Sequence, residues 1–263
     1  MKLELTKRDF FLFEQLCSYG LLSTNQIKRL TFSGIDESIA LRRLRRLRTA
    51  GYLCAHSGLG RGLLVWTVAK KALDRICSDS GAITINRHTL EHDLLLSEIR
   101  MRMEKNGMGA HWKNSFFLKQ KAAKSKSTHA KQIPDLLFAI QAVQKPKVVA
   151  VELENVQKSK RRYKAILENY ASRPELHILW YIVPSRRLGE FLINEYTGDL
   201  VHSPKLYYSL LSDVIDEAKA IILRGAGGNL ELSRPKRTGA LGADQEEGRA
   251  APSEPEILTL DSQ

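Results

Sequence analysis

Three carboxylates in the middle of the chain have types and spacings that suit metal chemistry. Asp135 follows a proline, and Glu152 and Glu154 come 17 and 19 residues later. Like charges a few Å apart raise each other's pKa values, and a hard divalent cation such as Mg²⁺ or Mn²⁺ relieves that repulsion. The alternative is the polar end of a hairpin whose acids are solvated.

The residues around these acids predict the hairpin that would bring them together. Leu136–Gln141 and Lys147–Glu154 read as strands rich in apolar residues, and Lys145-Pro146 marks a turn between them. A turn centred near residue 144 sets Asp135 opposite Leu153. Because side chains alternate along a strand, Glu152 and Glu154 share one face and lie within a residue or two of Asp135.

This pattern resembles a known nuclease core. Pro134-Asp135, Glu152-x-Glu154 and the basic helix that follows are similar to the PD-(D/E)xK motif of restriction-endonuclease-like proteins, with Glu154 in place of the motif lysine. The resemblance implies an αβββαβ core in which Asp135, Glu152 and Glu154 hold Mg²⁺ or Mn²⁺, and in which Lys158 supplies the missing cation. In that superfamily the first core helix can add a ligand, so His92 and Asp93 become further candidates, although His88 and His92 also fit packing or capping roles.

The segments around the hairpin complete the predicted core. We expect a helix over 87–106, a first strand over 112–118, an acid-free lysine loop over 119–131 and a buried strand over 176–183. Helices over 186–195 and 208–223 would cover the sheet. Tyr163 and Tyr170 lie two turns apart on the basic helix, where aromatic packing is favoured over a role as a covalent nucleophile. From Gly225 the composition is typical of a disordered tail.

The first 80 residues predict a winged helix-turn-helix. Three short helices end near Gly20, Ser33 and Gly51, and two short strands, 52–55 and 63–68, follow. In the third helix Ala40, Leu44 and Leu47 form an apolar face. Five of the seven residues from 42 to 48 are arginines, which favours DNA binding over a solvated face of a protein-interaction module.

Charge and composition point to the same partner. The net charge is +12, and residues 225–263 hold four basic and seven acidic residues, so residues 1–224 carry +15. Nucleic acid is the partner expected for such a charge. The predicted DNA contacts come from the third helix, the tip of the wing, the lysine loop and the basic helix: Arg42, Arg43, Arg45, Arg46, Arg61, Lys121, Lys124, Lys126, Lys160, Arg161 and Arg162.

The remaining features bound the cellular setting. Cys17, Cys54 and Cys77 are few, widely spaced and in no zinc pattern, so we expect thiols in a reducing cytoplasm. No stretch approaches 18 apolar residues, and no membrane insertion is expected.

Together the motifs through about residue 224 resemble the replication-relaxation family and related mobilisation relaxases of plasmids and mobile elements. The resemblance implies a winged helix over 1–80, a nuclease-like domain over 84–224 and a tail over 225–263. It also implies metal-dependent nicking of double-stranded DNA at a plasmid or transfer origin, with single-stranded DNA and accessory mobilisation proteins as further partners. The alternative is a non-catalytic replication accessory protein or transcription regulator, which the missing motif lysine favours.

Overall fold

The computed structural model describes residues 3–57, 63–76, 81, 83–124, 132–140, 145–196, 198 and 203–232. We call the described part of residues 3–76 the amino-terminal unit. Its elements in chain order are α1 (Lys7–Tyr19), β1 (Leu22–Ser23), α2 (Thr24–Thr31), α3 (Glu37–Thr49), β2 (Leu53–His56), β3 (Val65–Val68) and α4 (Lys70–Leu73).

The rest of the described chain forms what we call the sheet unit. Its elements are α5 (Leu90–Lys105), β4 (Ala110–Asn114), α6 (Ser115–Lys124), β5 (Leu136–Ile140), β6 (Lys147–Leu153), α7 (Lys160–Ala171), β7 (Ile178–Val183), α8 (Arg186–Glu195), β8 (Lys205–Leu210), α9 (Leu211–Ile215), β9 (Ile221–Gly225) and β10 (Gly228–Leu232). Both helices and a large mixed sheet are therefore present, as the α/β prediction required.

Local capping sets where the first helices begin. Thr6 and Asp9 form a capping box at α1, and Ser23 and Gln26 form another at α2. The side chain of Asp36 accepts a hydrogen bond from the backbone N–H of Ser38 at 2.8 Å and so caps α3. These caps stop each helix from extending into its neighbour, which leaves three short helices ahead of the β2–β3 pair.

The amino-terminal unit closes around one apolar core. Ala40, Leu44 and Leu47 of α3 are buried, which confirms the predicted inward face, and they meet Leu12 and Phe13 of α1. Strand β3 pairs antiparallel with both β1 and β2. The arginines of α3 are consequently left on the side of the helix away from this core, apart from Arg43.

The seven strands of the sheet unit lie in the order β10-β9-β8-β7-β6-β5-β4. The central strands β6, β7 and β8 are parallel, and every other neighbouring pair is antiparallel. Helix α5 packs on one face through Leu96, Ile99 and Met103, and α7 and α8 pack on the other. Because β6 is covered on both faces, five of its seven residues are buried, Glu152 among them.

The predicted first strand and lysine loop are wrong in their boundaries. The strand ends at Asn114, whose side-chain Oδ1 accepts a hydrogen bond from the backbone N–H of Phe117 at 2.9 Å and so starts α6. Residues 115–124 are helical because Leu, Lys, Gln and Ala are all good helix formers. The sheet unit therefore has a helix between its first two strands that a bare αβββαβ order lacks. The remainder of the predicted loop, 125–131, lies outside the described residues.

The predicted helix over 208–223 is also wrong. Residues 205–210 form β8, which pairs in parallel with β7, and only residues 211–215 are helical. Residues 221–232 then form the β9–β10 hairpin, so the tail cannot start at Gly225; the segment from 233 onward lies outside the described residues. The spacing of the apolar residues explains the error, since Tyr208, Leu211 and Ile215 are three and four residues apart and so fit a helical stripe.

A close approach between α8 and β8 gives the first testable prediction. A Cβ added at Gly189 would lie 2.2 Å from a ring carbon of the buried Tyr208. Replacing Gly189 by Ala is therefore expected to lower the free energy of unfolding by about 1–3 kcal/mol, as overpacking does. Urea unfolding measures this, and Gly227→Ala is the control because its added Cβ meets nothing within 4 Å. Equal stabilities for the two variants would contradict the packing described for α8.

Candidate acidic site and basic surface

The β5–β6 hairpin brings the predicted carboxylates to one end of the sheet. Leu136 pairs with Val151, so the register differs by one residue from the predicted one, and its continuation sets Asp135 opposite Glu152 rather than Leu153. The backbone N–H of Leu153 donates to Asp135 Oδ2 at 2.9 Å. Asp135 and Glu152 are therefore neighbours across the hairpin, as the sequence predicted in outline.

Glu152 is more buried than Asp135 across the hairpin, with 7% of its surface exposed. Its Oε1 accepts hydrogen bonds from the Tyr170 hydroxyl at 2.5 Å and from Gln132 Nε2 at 3.2 Å. Burial, reinforced by the negative charge of Asp135, raises the pKa of Glu152 to about 7, against the opposing effect of these donors and of Lys158. The carboxylate is thus held in place but lacks a full counter-charge.

His92, near the start of α5, reaches the same end of the hairpin. Its Nε2 lies 3.2 Å from Asp135 Oδ2 and 3.1 Å from the carbonyl oxygen of Leu153, and its Nδ1 lies 3.5 Å from Asp93 Oδ1. Burial lowers the pKa of His92, but the two aspartates outweigh it and raise that pKa to about 10. The ring of His92 therefore lies against Asp135 and can orient its carboxylate. A role of His92 as a metal ligand stays a prediction.

Glu154 and Lys158 form a pair of their own. The Glu154 carboxylate is 3% exposed and makes an ion pair with Lys158 Nζ. The Tyr163 hydroxyl accepts the backbone N–H of Lys158 at 3.0 Å and fixes this turn. Lys158 lies in the turn before α7, which begins at Lys160, and not inside the helix as predicted. Its ammonium group still lies beside the carboxylate that replaces the motif lysine.

The donor set suits a cation held by two carboxylates better than one held by three. Within the described ranges, no group of three or more His, Cys, Asp or Glu side chains is arranged to hold a metal ion. Mg²⁺ and Mn²⁺ do not require three, since one or two carboxylates plus waters and phosphate oxygens are usual for Mg²⁺. Asp135 and Glu152 supply two such carboxylates, whereas Glu154 is already paired with Lys158.

An orphaned polar atom lies against the same acids. The hydroxyl of Tyr181, paired in register with Glu152 on the next strand, is buried without a hydrogen-bond partner among the described residues. Burial and the negative charges of Glu152 and Glu154 raise the pKa of Tyr181. Buried hydroxyls usually have a partner, and an oxygen ligand of a cation held by Glu152 would supply one for Tyr181.

The sequence did not identify several polar contacts of this site. Tyr170 and Tyr163 are fully buried, which agrees with the packing role favoured for them. Their hydroxyls also make hydrogen bonds in the acidic site, Tyr170 to Glu152 and Tyr163 to the backbone N–H of Lys158. Gln132 is fixed by α7, because its N–H donates to Asn169 Oδ1 and its carbonyl accepts from Arg173. In the sequence, the only sign of these contacts is that Tyr163 and Tyr170 lie on the same apolar face of α7.

Three of the predicted DNA-contacting arginines share an exposed groove. Arg42, Arg45 and Arg46 line an open groove of about 720 Å³ on the outer side of α3, with Leu3 and Leu41 in its floor. Arg43 points the other way and makes a two-point ion pair with the buried Asp9 of α1, with Nε to Oδ1 at 2.9 Å. Arg43 is thus engaged inside the unit, whereas the other three can face a ligand.

The other predicted contacts are more dispersed. Arg161 and Arg162 are exposed at the start of α7, and Lys160 beside them pairs with Glu195 at 2.7 Å. Lys121 and Lys124 lie in the last turn of α6. Arg61 and Lys126 lie outside the described residues. The roles of all these residues in binding DNA remain predictions.

The raised pKa of Glu152 gives a pH prediction for the metal-free protein. The folded protein keeps its proton where the unfolded chain has lost it, so the free energy of unfolding falls as pH rises from about 4.5 to about 7. The loss amounts to roughly 3 kcal/mol at 1.4 kcal/mol per pKa unit. Glu152→Gln has no carboxyl group to titrate and lacks this loss. Urea unfolding should therefore show the free energy of unfolding of the variant rising relative to that of the wild type across this pH range. A stability difference that is independent of pH would contradict this environment for Glu152.

Comparison with known proteins places most of this chain in one family. Residues 13–175 match the family model described as Replication-relaxation, which spans more than half of the chain and includes α3, His92, the β5–β6 hairpin and α7. Searches of curated proteins and of solved structures gave no match. Among the described residues no helix is both long enough and apolar enough to cross a membrane.

Proposed function

The chain belongs to the replication-relaxation family, and from that premise we propose that it binds DNA of a plasmid or other mobile element and nicks one strand of it. The reaction is hydrolysis of a phosphodiester bond at the acidic site, with Mg²⁺ or Mn²⁺ as cofactor. The observation that carries the proposal is the juxtaposition of Asp135 and Glu152 at the end of a buried hairpin, where Glu152 makes no ion pair with a cation among the described residues.

The residues of the site have separable roles in this proposal. Asp135 and Glu152 would hold the cation, which would supply activation of a water and stabilisation of charge on the phosphate. His92 orients Asp135 through the 3.2 Å contact, and Tyr170 orients Glu152 through the 2.5 Å hydrogen bond. Lys158, held by Glu154, lies where its ammonium group can approach a phosphate oxygen of the substrate.

The amino-terminal unit supplies the binding of duplex DNA in this proposal. Three helices followed by an antiparallel strand pair have the order of a winged helix-turn-helix, in which the third helix enters the major groove. Arg42, Arg45 and Arg46 line the outer groove of that helix and supply contacts to phosphates and base edges. Arg161 and Arg162, exposed at the start of α7 on the sheet unit, would add further phosphate contacts.

A nicking assay tests the proposal. Supercoiled plasmid carrying an origin is incubated with the purified protein and Mg²⁺ or Mn²⁺, and open circles are the expected product. Omission of the metal, and addition of a chelator, should each leave the plasmid supercoiled. Supercoiled DNA that survives every metal condition would contradict the cleavage reaction.

One observation favours a second candidate, a DNA-binding replication accessory protein without cleavage activity. Glu154 is neutralised by Lys158, and Asp135 by His92, so part of the acidic site is satisfied by the protein's own cations. A protein of this kind binds the same DNA, gives no open circles and shows no stabilisation by Mn²⁺.

A further inference from the structure

Helix α5 connects the amino-terminal unit to the acidic site, and its contacts fall on both. Near its start His92 contacts Asp135, and the next two turns contact the amino-terminal unit. The carbonyl oxygen of Leu94 accepts a hydrogen bond from Gln26 Nε2 at 2.9 Å. At a rise of 1.5 Å per residue, His92 and Arg100 are about 12 Å apart along one rigid element.

An ion pair joins α2 to α5. Arg29 Nη1 lies 2.6 Å from Glu98 Oε1, its Nη2 contacts the other carboxylate oxygen, and Gln26 Nε2 adds a 3.3 Å contact to Glu98. A two-point arginine–carboxylate pair fixes direction as well as distance. The orientation of α2 on α5 is thereby defined.

A buried cluster joins α1 to α5. Arg100, 5% exposed, donates to the carbonyl oxygen and hydroxyl of Ser18 at 2.8 and 2.6 Å and to Glu104 at 2.8 Å. Its guanidinium lies 4.0 Å from the ring centroid of Tyr19, whose hydroxyl donates to Glu104 at 2.5 Å. Removing any one partner would leave a buried polar group unpaired, which makes this contact costly to open.

Apolar packing closes the same interface. Met101 of α5 joins the core of the amino-terminal unit, and a separate cluster combines Leu21 and Val65 of that unit with Leu90 and Leu94 of α5. The path from the groove to the site is therefore continuous: α3 is tied to α1 by Arg43 and Asp9, α1 to α5 by Arg100, and α5 to the hairpin by His92.

We propose that Arg29, Glu98 and Arg100 are positioning residues that hold the α3 groove and the acidic site in one fixed relation. If the α3 groove binds DNA and the acidic site is held at a fixed distance from it, the acidic site meets one defined phosphate. The strand is then nicked at a set number of nucleotides from the bases that α3 contacts. The nick position rests on the proposed function, whereas the fixed relation does not.

The fixed relation is tested without DNA by a distance measurement between two spin labels. One label is placed on the exposed Cys54 of β2 and the other on Val156→Cys, which is 76% exposed beside the acidic site, with Cys17 and Cys77 replaced by Ala. One narrow distance distribution is expected. Glu98→Arg should broaden or shift it, and the charge swap Arg29→Glu with Glu98→Arg should restore it.

Glu37→Arg is the matched control, because Glu37 pairs with Lys28 inside the amino-terminal unit and should leave the distribution narrow. A broad distribution in the starting protein would overturn the fixed relation. A distribution that Glu98→Arg leaves unchanged, or that the charge swap does not restore, would overturn the positioning role of Arg29 and Glu98.

The nick position is then mapped on a duplex that the protein selects from a randomised library. The starting protein should cut at one phosphate relative to its footprint, and Glu98→Arg should scatter or move the cut while Glu37→Arg does not. Scattered cuts by the starting protein would overturn the inference about nick position. A narrow distance distribution without any nick would instead refute the cleavage reaction and leave the fixed relation standing.

Discussion

Glu152→Gln is expected to lower the rate of plasmid nicking by about 100-fold or more while DNA affinity stays nearly unchanged. Mutation of residues that hydrogen-bond metal ligands typically lowers metal affinity or activity by about 10- to 100-fold. Loss of a group that holds the cation directly should lower activity at least as much. Affinity should persist because we propose that it depends on the α3 arginines, which belong to another unit.

The matched control for this variant is Glu168→Gln. Glu168 is an exposed acid on α7, the helix that also carries Tyr170, and it should keep wild-type nicking. The two rates are compared from the time course of open-circle formation. Equal rates for Glu152→Gln and the wild type would remove Glu152 from the reaction.

The second large effect is expected from replacing Arg42, Arg45 and Arg46 together by Ala. Each phosphate contact on duplex DNA contributes about 0.9 to the slope of log K against log salt, so the slope should flatten by as much as about 2.7 if all three meet phosphates. The fold should survive, since Ala40, Leu44 and Leu47 form the buried face of α3. Fluorescence polarisation at several salt concentrations gives the slope.

A double variant of α8, Arg186→Ala with Arg187→Ala, is the control for this measurement. Both arginines are exposed, but they lie at the start of α8 on the sheet unit and are not among the predicted DNA contacts. The control should bind as the wild type does. If the α3 variant also binds like the wild type, the α3 groove serves another partner.

Strong local patterns predicted much of the architecture. The apolar faces of α3 and α7, the uniformly apolar β7 and the β5–β6 hairpin all follow from periodicity and turn residues. Prediction failed where a pattern allowed two structures. Residues 115–118 are apolar enough for a strand, but the Asn114 cap makes them helical. Tyr208, Leu211 and Ile215 have helical spacing although they belong to β8 and α9.

The acidic site shows the same division. The approach of Asp135 to Glu152 follows from the predicted hairpin and strand alternation, whereas the metal chemistry of Asp135, Glu152 and Glu154 stays a prediction. Their partners were not visible, because Tyr170 and Gln132 reach Glu152 only once α7 docks on the sheet. A one-residue difference in the turn also changed which residue stands opposite Asp135. The partners of Glu152 thus depend on the docking of α7, and the residue opposite Asp135 depends on the length of the turn, and neither can be read from the local sequence pattern.

The most direct test of the account is thermal unfolding with increasing Mn²⁺, compared between the wild type, Glu152→Gln and Asp135→Asn. A ligand that binds only the folded state stabilises it by RT ln(1 + [L]/Kd), about 2.7 kcal/mol at 100 times Kd. We expect Mn²⁺ to raise the melting temperature of the wild type and to leave that of both variants unchanged. A wild-type melting temperature that does not move at millimolar Mn²⁺ would contradict the claim that Asp135 and Glu152 hold a metal ion.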